Sequence, residues 1–283
     1  MALDLHGLDP RKRIASLFLT PLCDMGCRFC ASETDFSTMS FDEATSLLSA
    51  LRRRVEGVVL GGGEPFLWPH DLEKLACLAC DMGFQVQVCT NGVSLPEGFE
   101  HIDAIHRYIL PLEAMDPGMH DGLRIRAGGG HHGIVMDRIQ ALAKAGREIT
   151  LSTVVTSKNI AELQPIAEWL AWQSLVGLKV HAWHLYRFLP VGRGGAQHGQ
   201  ELAVDREAYL RACSAMKTAG LPFPVLRRDD MTRASTVEFC WFEKGRLRMG
   251  SAKKQNAADY EDEKDEKTTD LNGRFSILDS SQH

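Results

Sequence analysis

The chain has 283 residues, 44% of them hydrophobic, with a formal net charge of -5 at pH 7, enough to bury a substantial core in one large or two small domains. The mildly acidic balance excludes broad electrostatic attraction to nucleic acid or to an anionic membrane surface. No stretch reaches the roughly 18 apolar residues that a spanning helix needs.

In chain order, an N-terminal segment over residues 1–15 carries charges without the apolar run of a secretory leader, which predicts a cytoplasmic protein. Strands are expected at residues 16–20, 57–60, 85–89, 105–110, 148–155 and 179–188. Amphipathic helices are expected between them at 41–54, 71–81, 134–145 and 160–172, and after them at 205–219. The link between the third and fourth strands is too short for a clear helix. Ser40 followed by Glu43 reads as a capping box, Asn159 as a cap with Pro165 delaying the regular helix, and Gly83, Gly146 and Gly220 as helix stops. This alternation predicts an α/β fold, a partial (β/α)6 TIM-like barrel with a short C-terminal extension. Residues 16–195 form its core and 196–250 its last part with substrate-side elements. The stretch 251–283 reads as a polar tail in which 274–278 offers one more strand or a lid.

Chemistry concentrates where such a fold puts ligands, just past the strands. Cys23, Cys27 and Cys30 lie in the loop after the first strand, three thiolates in eight positions, as if to wrap one face of an iron–sulfur cubane. A structural zinc site closes with four ligands, and no fourth Cys or His stands at ligand spacing; His70 is the nearest histidine and lies past the second strand. Gly61-Gly62-Gly63-Glu64-Pro65 follows the second strand and lets backbone approach a ligand closely, without the Gly-Lys-Ser/Thr ending of a phosphate loop. Cys77 and Cys80 read as small buried residues on one helix face rather than a redox pair, and Cys89, Cys213 and Cys240 are isolated.

With Phe29 preceding the last cysteine of CxxxCxxC and the GGEP run behind it, the sequence resembles the radical S-adenosylmethionine (SAM) superfamily. The resemblance implies that Cys23, Cys27 and Cys30 ligate a [4Fe–4S] cluster whose fourth iron is chelated by SAM. It also implies that Gly61, Gly62, Gly63 and Glu64 bind the SAM ammonium group and that Asn91, in Thr90-Asn91-Gly92, sits beside SAM. Ser152 or Thr153 would meet the ribose or carboxylate. Reductive cleavage of SAM would then give a 5′-deoxyadenosyl radical that abstracts hydrogen from a substrate, with an electron donor such as flavodoxin or ferredoxin.

Cys240 alone cannot build an auxiliary cluster, so the layout is similar to single-cluster members, most of all the viperin-like and molybdenum-cofactor-cyclase-like groups. That likeness rests on 62–67, on the Arg/Gly-rich segment 124–133, and on Ser276-Ile277-Leu278-Asp279. Arg124, Arg126 and Arg193 stand in glycine-containing loops after the fourth and sixth strands and are expected to hold an anionic group together. The predicted substrate is therefore a small anion, nucleotide- or sugar-like, with no nucleic acid or membrane partner. The alternatives are a peptide- or protein-modifying enzyme or glycyl-radical activase, and a non-catalytic iron–sulfur or zinc module.

Overall fold

The computed structural model describes residues 13–230 and 236–250. The expectations for 251–283, including an extra strand at 274–278, lie outside the described residues, as does most of the segment 1–15.

The elements run β1 (Ile14–Thr20), α1 (Phe41–Leu51), β2 (Gly57–Gly62), α2 (Leu72–Asp81), β3 (Gln85–Cys89), β4 (Arg107–Pro111), α3 (Pro117–Leu123), α4 (His131–Lys144) and β5 (Glu148–Val155). They continue with α5 (Leu163–Leu175), β6 (Lys179–Arg187), α6 (Gly192–Gly195), α7 (Gly199–Leu202), α8 (Arg206–Lys217), β7 (Val225–Arg228), β8 (Val237–Glu243) and β9 (Arg246–Met249). Among the described residues, one sheet holds all the strands in the order β7-β6-β5-β4-β3-β2-β1-β8-β9. Neighbours are parallel except β8 and β9. The sheet is not closed: β7 and β9 are its two edges. The six expected strands are present, and β7, β8 and β9 are additions. β8 pairs with β1, so the 196–250 region completes the sheet on the far side of the first strand.

Local chemistry explains the boundaries. Ser40 Oγ accepts from Glu43 N while the Glu43 carboxylate accepts from Ser40 N, the reciprocal capping box. Asn159 does not cap: its Oδ1 takes the Thr156 N–H and hydroxyl, residues 160–162 make a 3₁₀ turn, and α5 starts at Leu163. Pro165 then falls in the first turn, where a missing N–H has no intrahelical partner to lose. Gly83, Gly146 and Gly220 all have positive φ and end their helices as expected.

The core lies between one face of the sheet and the helices. α1 buries Ala44, Leu47, Leu48 and Leu51, the spacing of a single helix face. Each buried leucine contributes roughly 2 kcal/mol as an upper estimate. Consecutive strand residues point to opposite faces, so Leu17, Leu19, Leu151, Val155 and Leu185 join this core while their neighbours line the inner face. Because β1 to β7 are parallel, the loops that follow them gather at one end of the sheet. Among the described residues no helix is long and apolar enough to cross a membrane.

Candidate functional site

The cysteine loop is held by three other loops. From the loop after β2, Gly63 N donates to Thr20 O at 2.7 Å and Glu64 N to Leu22 O at 2.7 Å. Toward the loop after β4, Gly26 N donates to Ile125 O at 2.7 Å and Arg28 N to Leu123 O at 2.9 Å. From the loop after β6, Gly194 N and Gly195 N both donate to Cys30 O, at 3.1 and 3.0 Å, and Arg193 N donates to Ser32 O at 3.1 Å. Two of these contacts leave no space for a side chain. A Cβ on Gly63 would lie 2.1 Å from Leu22 O, and one on Gly194 would lie 2.2 Å from Cys27 O. The glycine runs after β2 and β6 thus serve first to let backbone press against the cysteine loop.

Each of the three sulfurs faces an N–H donor. Asn91 Nδ2 lies 3.8 Å from Cys23 Sγ, Arg124 Nη1 lies 3.7 Å from Cys27 Sγ, and Arg193 Nε lies 3.3 Å from Cys30 Sγ. Arg193 also hydrogen-bonds Cys23, and its Nη1 reaches Pro21 O at 3.1 Å. Burial pushes the Cys27 thiol up to about 11, with the Arg124 charge opposing the rise. Thiols in this setting become thiolates when a metal takes the place of the proton. Among the described residues no three His, Cys, Asp or Glu side chains converge on a position for a single ion. Thiolates of a cubane each bind a separate iron, and three thiols in one loop, each faced by an N–H donor, suit such a cluster.

Glu64 is fully buried beside this loop. Its Oε1 accepts from Thr90 Oγ1 at 2.7 Å and from Phe66 N at 3.2 Å, and its Oε2 accepts from Asn91 N at 2.7 Å. Burial outweighs these donors and raises its carboxyl to about 7. Asn91 in turn donates to Asp24 Oδ1 at 2.6 Å, and Ser94 Oγ donates to Asp24 Oδ2 at 2.9 Å. The ends of β2 and β3 and the cysteine loop are therefore one polar network.

A second buried network is centred on Glu113, just past β4. Its carboxylate accepts from Arg124 Nε at 2.7 Å and from Val154 N at 2.7 Å. Its backbone N–H donates to His120 Nδ1 at 3.1 Å, which leaves the His120 proton on Nε2. His120 Nε2 is 2.8 Å from His131 Nδ1, and His131 Nε2 is 2.8 Å from Asn91 O. A carbonyl can only accept, so the chain of protons runs one way, from Glu113 N through both imidazoles to Asn91 O, with both rings neutral. Burial lowers both histidines, His131 to about 4, so they stay neutral near pH 7.

Comparison with known proteins sets this geometry in context. The family model described as "Radical SAM superfamily" matches residues 17–170. The chain belongs to the radical SAM superfamily. Its cofactors are accordingly a [4Fe–4S] cluster and SAM. No curated protein matches. Among solved structures, Streptococcus suis SuiB bound to S-adenosylmethionine is similar at TM-score 0.62 and 13% identity, covering 80% of this chain and 52% of SuiB. The FeFe-hydrogenase maturase HydG from Carboxydothermus hydrogenoformans is similar at TM-score 0.61 and 15% identity, covering 78% and 55% of the two chains. Native anSMEcpe with bound AdoMet and Cp18Cys peptide gives TM-score 0.56 at 16% identity, covering 72% and 58%. This radical SAM chain thus spans about half the length of these proteins, and at such identities the likeness is one of fold.

The structure divides the expected site residues. Cys23, Cys27, Cys30, Gly61, Gly62, Gly63, Glu64 and Asn91 lie in adjoining segments at the ends of β1, β2 and β3. Ser152 faces inward, while Thr153 is turned into the core, donating to Leu112 O at 2.6 Å and accepting from Trp183 Nε1 at 2.9 Å. Strand alternation allows only one of the pair to face the site. The three arginines have separate protein partners. Arg124 pairs with Glu113 and lies 5.0 Å over the Phe29 ring, Arg193 faces the cysteines, and Arg126 Nη1 bonds Gly129 O at 2.7 Å within its own loop. Cys77 is exposed and Cys80 half-buried, not the buried pair expected, whereas Cys213 and Cys240 are core residues.

Glu113 and the His120–His131 pair were missed as site residues. A carboxylate closely following an apolar strand, as Glu64 follows β2, was the available signal for Glu113. At the ends of β6 and β7, His184, Tyr186 and Arg228 share the inner face, with His184 Nδ1 3.1 Å from Tyr186 Oη. A hollow lined by Gln85, Arg107 and Glu148 opens at the strands' amino ends, the side opposite the cysteines.

Proposed function

We propose that Cys23, Cys27 and Cys30 each take one iron of the cluster and that Gly61, Gly62, Gly63, Glu64, Asn91 and Ser152 orient SAM against the remaining iron. The reading is carried by one observation: three thiols in one braced loop, each faced by an N–H donor. Bound together, the reduced cluster and SAM supply a 5′-deoxyadenosyl radical by cleavage of a carbon–sulfur bond. The work left to the protein is to hold the reacting groups in place. Glu64 supplies a carboxylate for the SAM ammonium group, Asn91 fixes the third strand's end beside the cysteine loop, and the buried networks keep both from moving.

The substrate in this reading is a small anionic molecule, nucleotide- or sugar-like as in viperin-like members, and the electron donor is a flavodoxin or ferredoxin. Arg228 supports the anion, since its charge reaches both His184 and Tyr186 on the inner face. A peptide substrate is the second reading. It is favoured by the similarity to SuiB, solved with precursor peptide SuiA, and to anSMEcpe, solved with a Cp18Cys peptide.

Anaerobic reconstitution is expected to load about four irons, and Cys23, Cys27 and Cys30 changed together to Ala to abolish the brown colour, while Cys77→Ala with Cys80→Ala keeps it. Zinc without iron in freshly purified anaerobic protein would refute the assignment. Glu64→Ala is expected to weaken SAM binding by about 1–3 kcal/mol, the loss of a hydrogen bond to a charged group. Unchanged SAM affinity would remove Glu64 from the site. Deuterium transfer into 5′-deoxyadenosine from nucleotides, sugar phosphates and carboxylates tests the substrate class, and transfer from a peptide alone would replace it with the second reading.

A further inference from the structure

Among the described residues, Arg193 and Arg124 are the two cationic side chains directed at the cysteine sulfurs, contacts that need neither SAM nor substrate to explain them. Arg193 projects from a loop whose backbone is fastened to the cysteine loop on both sides: its own N–H bonds Ser32 O, and the next two N–H groups bond Cys30 O. That fastening depends on glycine at 194, and the guanidinium is held in turn by Cys30 Sγ and Pro21 O. Arg124 is fixed as firmly by the fully buried Glu113 and by the Phe29 ring. The two differ in net charge. Glu113 neutralises Arg124, whereas the hydrogen-bond partners of Arg193 are two thiols and a carbonyl.

We propose that Arg193, with Arg124 in a lesser role balanced by Glu113, is a positioning residue that sets the reduction potential of the cluster by donating N–H hydrogen bonds and positive charge to its thiolate ligands. The inference rests on the cluster assignment above. Adding an electron to the cluster increases the negative charge on its sulfurs. Donors and cations aimed at those sulfurs stabilise the reduced form more than the oxidised form and move the midpoint upward. In a partly buried site such charges act at low effective dielectric, where they are poorly screened. The arrangement makes the cluster easier to reduce by a physiological donor.

The test is an EPR-monitored redox titration of the anaerobically reconstituted full chain without SAM. Arg193→Met is expected to lower the midpoint, by about a tenfold change in the reduced-to-oxidised ratio at a fixed poise, which is about 59 mV for a one-electron couple. Arg193→Gln, which keeps an N–H donor without the charge, is expected to fall between Met and the unmodified chain. Glu113→Gln, which leaves Arg124 unbalanced, is expected to shift the midpoint in the opposite direction. Arg126→Met, whose guanidinium bonds a carbonyl instead of a sulfur, is expected to leave it unchanged. An unmoved midpoint in Arg193→Met with four irons bound would overturn the proposal, as would equal shifts in Arg193→Met and Arg126→Met. Loss of iron from both Arg193 variants would also overturn it, in favour of a role in cluster retention. Failure of the unmodified chain to bind iron would instead strike the cluster assignment itself.

Discussion

A buried carboxylate with three donors is normally held ionised, yet Glu64 is raised from 4.5 to about 7 because its desolvation outweighs those hydrogen bonds. The folded state therefore binds this proton more tightly than the unfolded state. Its contribution to stability is complete below the ordinary carboxylate range and is lost as pH rises through about 7. Cluster-free protein is expected to lose up to about 3 kcal/mol of this contribution between pH 5 and pH 8, and Glu64→Gln to lose none of it. Urea unfolding at the two pH values measures both slopes, and parallel slopes would contradict the assignment. The three cysteines were legible as candidates in the sequence from their spacing, and Glu64 and Asn91 from their resemblance to family motifs. Glu113 and His131 were not, because their importance comes from partners far away in the chain: Arg124, Val154 and the Asn91 carbonyl.

At the scale of elements, apolar periodicity located the six central strands and the long helices to within a few residues, since each buries one face against the other layer. β7, β8 and β9 were not legible as strands. β7 has only four residues, and the alternation of β8 and β9 shows its meaning only when β8 is set beside β1. The role of the loops was also hidden. A glycine run beside an arginine reads equally as an anion site or as a close backbone contact, and the structure assigns the run after β6 to contact with the cysteine loop. Gly194→Ala is accordingly expected to displace that loop and reduce iron retention after gel filtration, with destabilisation of about 1–3 kcal/mol from overpacking. Gly122→Ala, whose Cβ would meet nothing within 4 Å, is expected to keep its iron and to gain up to about 1 kcal/mol from helix propensity. Equal iron contents in the two variants would contradict the bracing role.

For the whole molecule, the sheet order makes β1 an interior strand, with β2 on one side and β8 on the other, although β8 comes more than 200 residues later in the chain. The same long reach governs the cysteine loop, whose braces come from residues near 63, 125 and 194. Contacts this distant in sequence form late, after local helices and hairpins. Cys30 precedes Arg193 by 163 residues, so during synthesis the three thiols emerge well before Arg193 and Gly194 and stay open to oxidation or to the wrong metal in the interval. Ribosome-bound chains halted before Gly192 are expected to retain no iron under conditions in which the released full chain does, and iron held firmly by those shorter chains would contradict this order. The organism making this protein thus has to keep a nascent, unbraced trio of thiols reduced until Arg193 and Gly194 have been added, and iron delivery is productive only after that point.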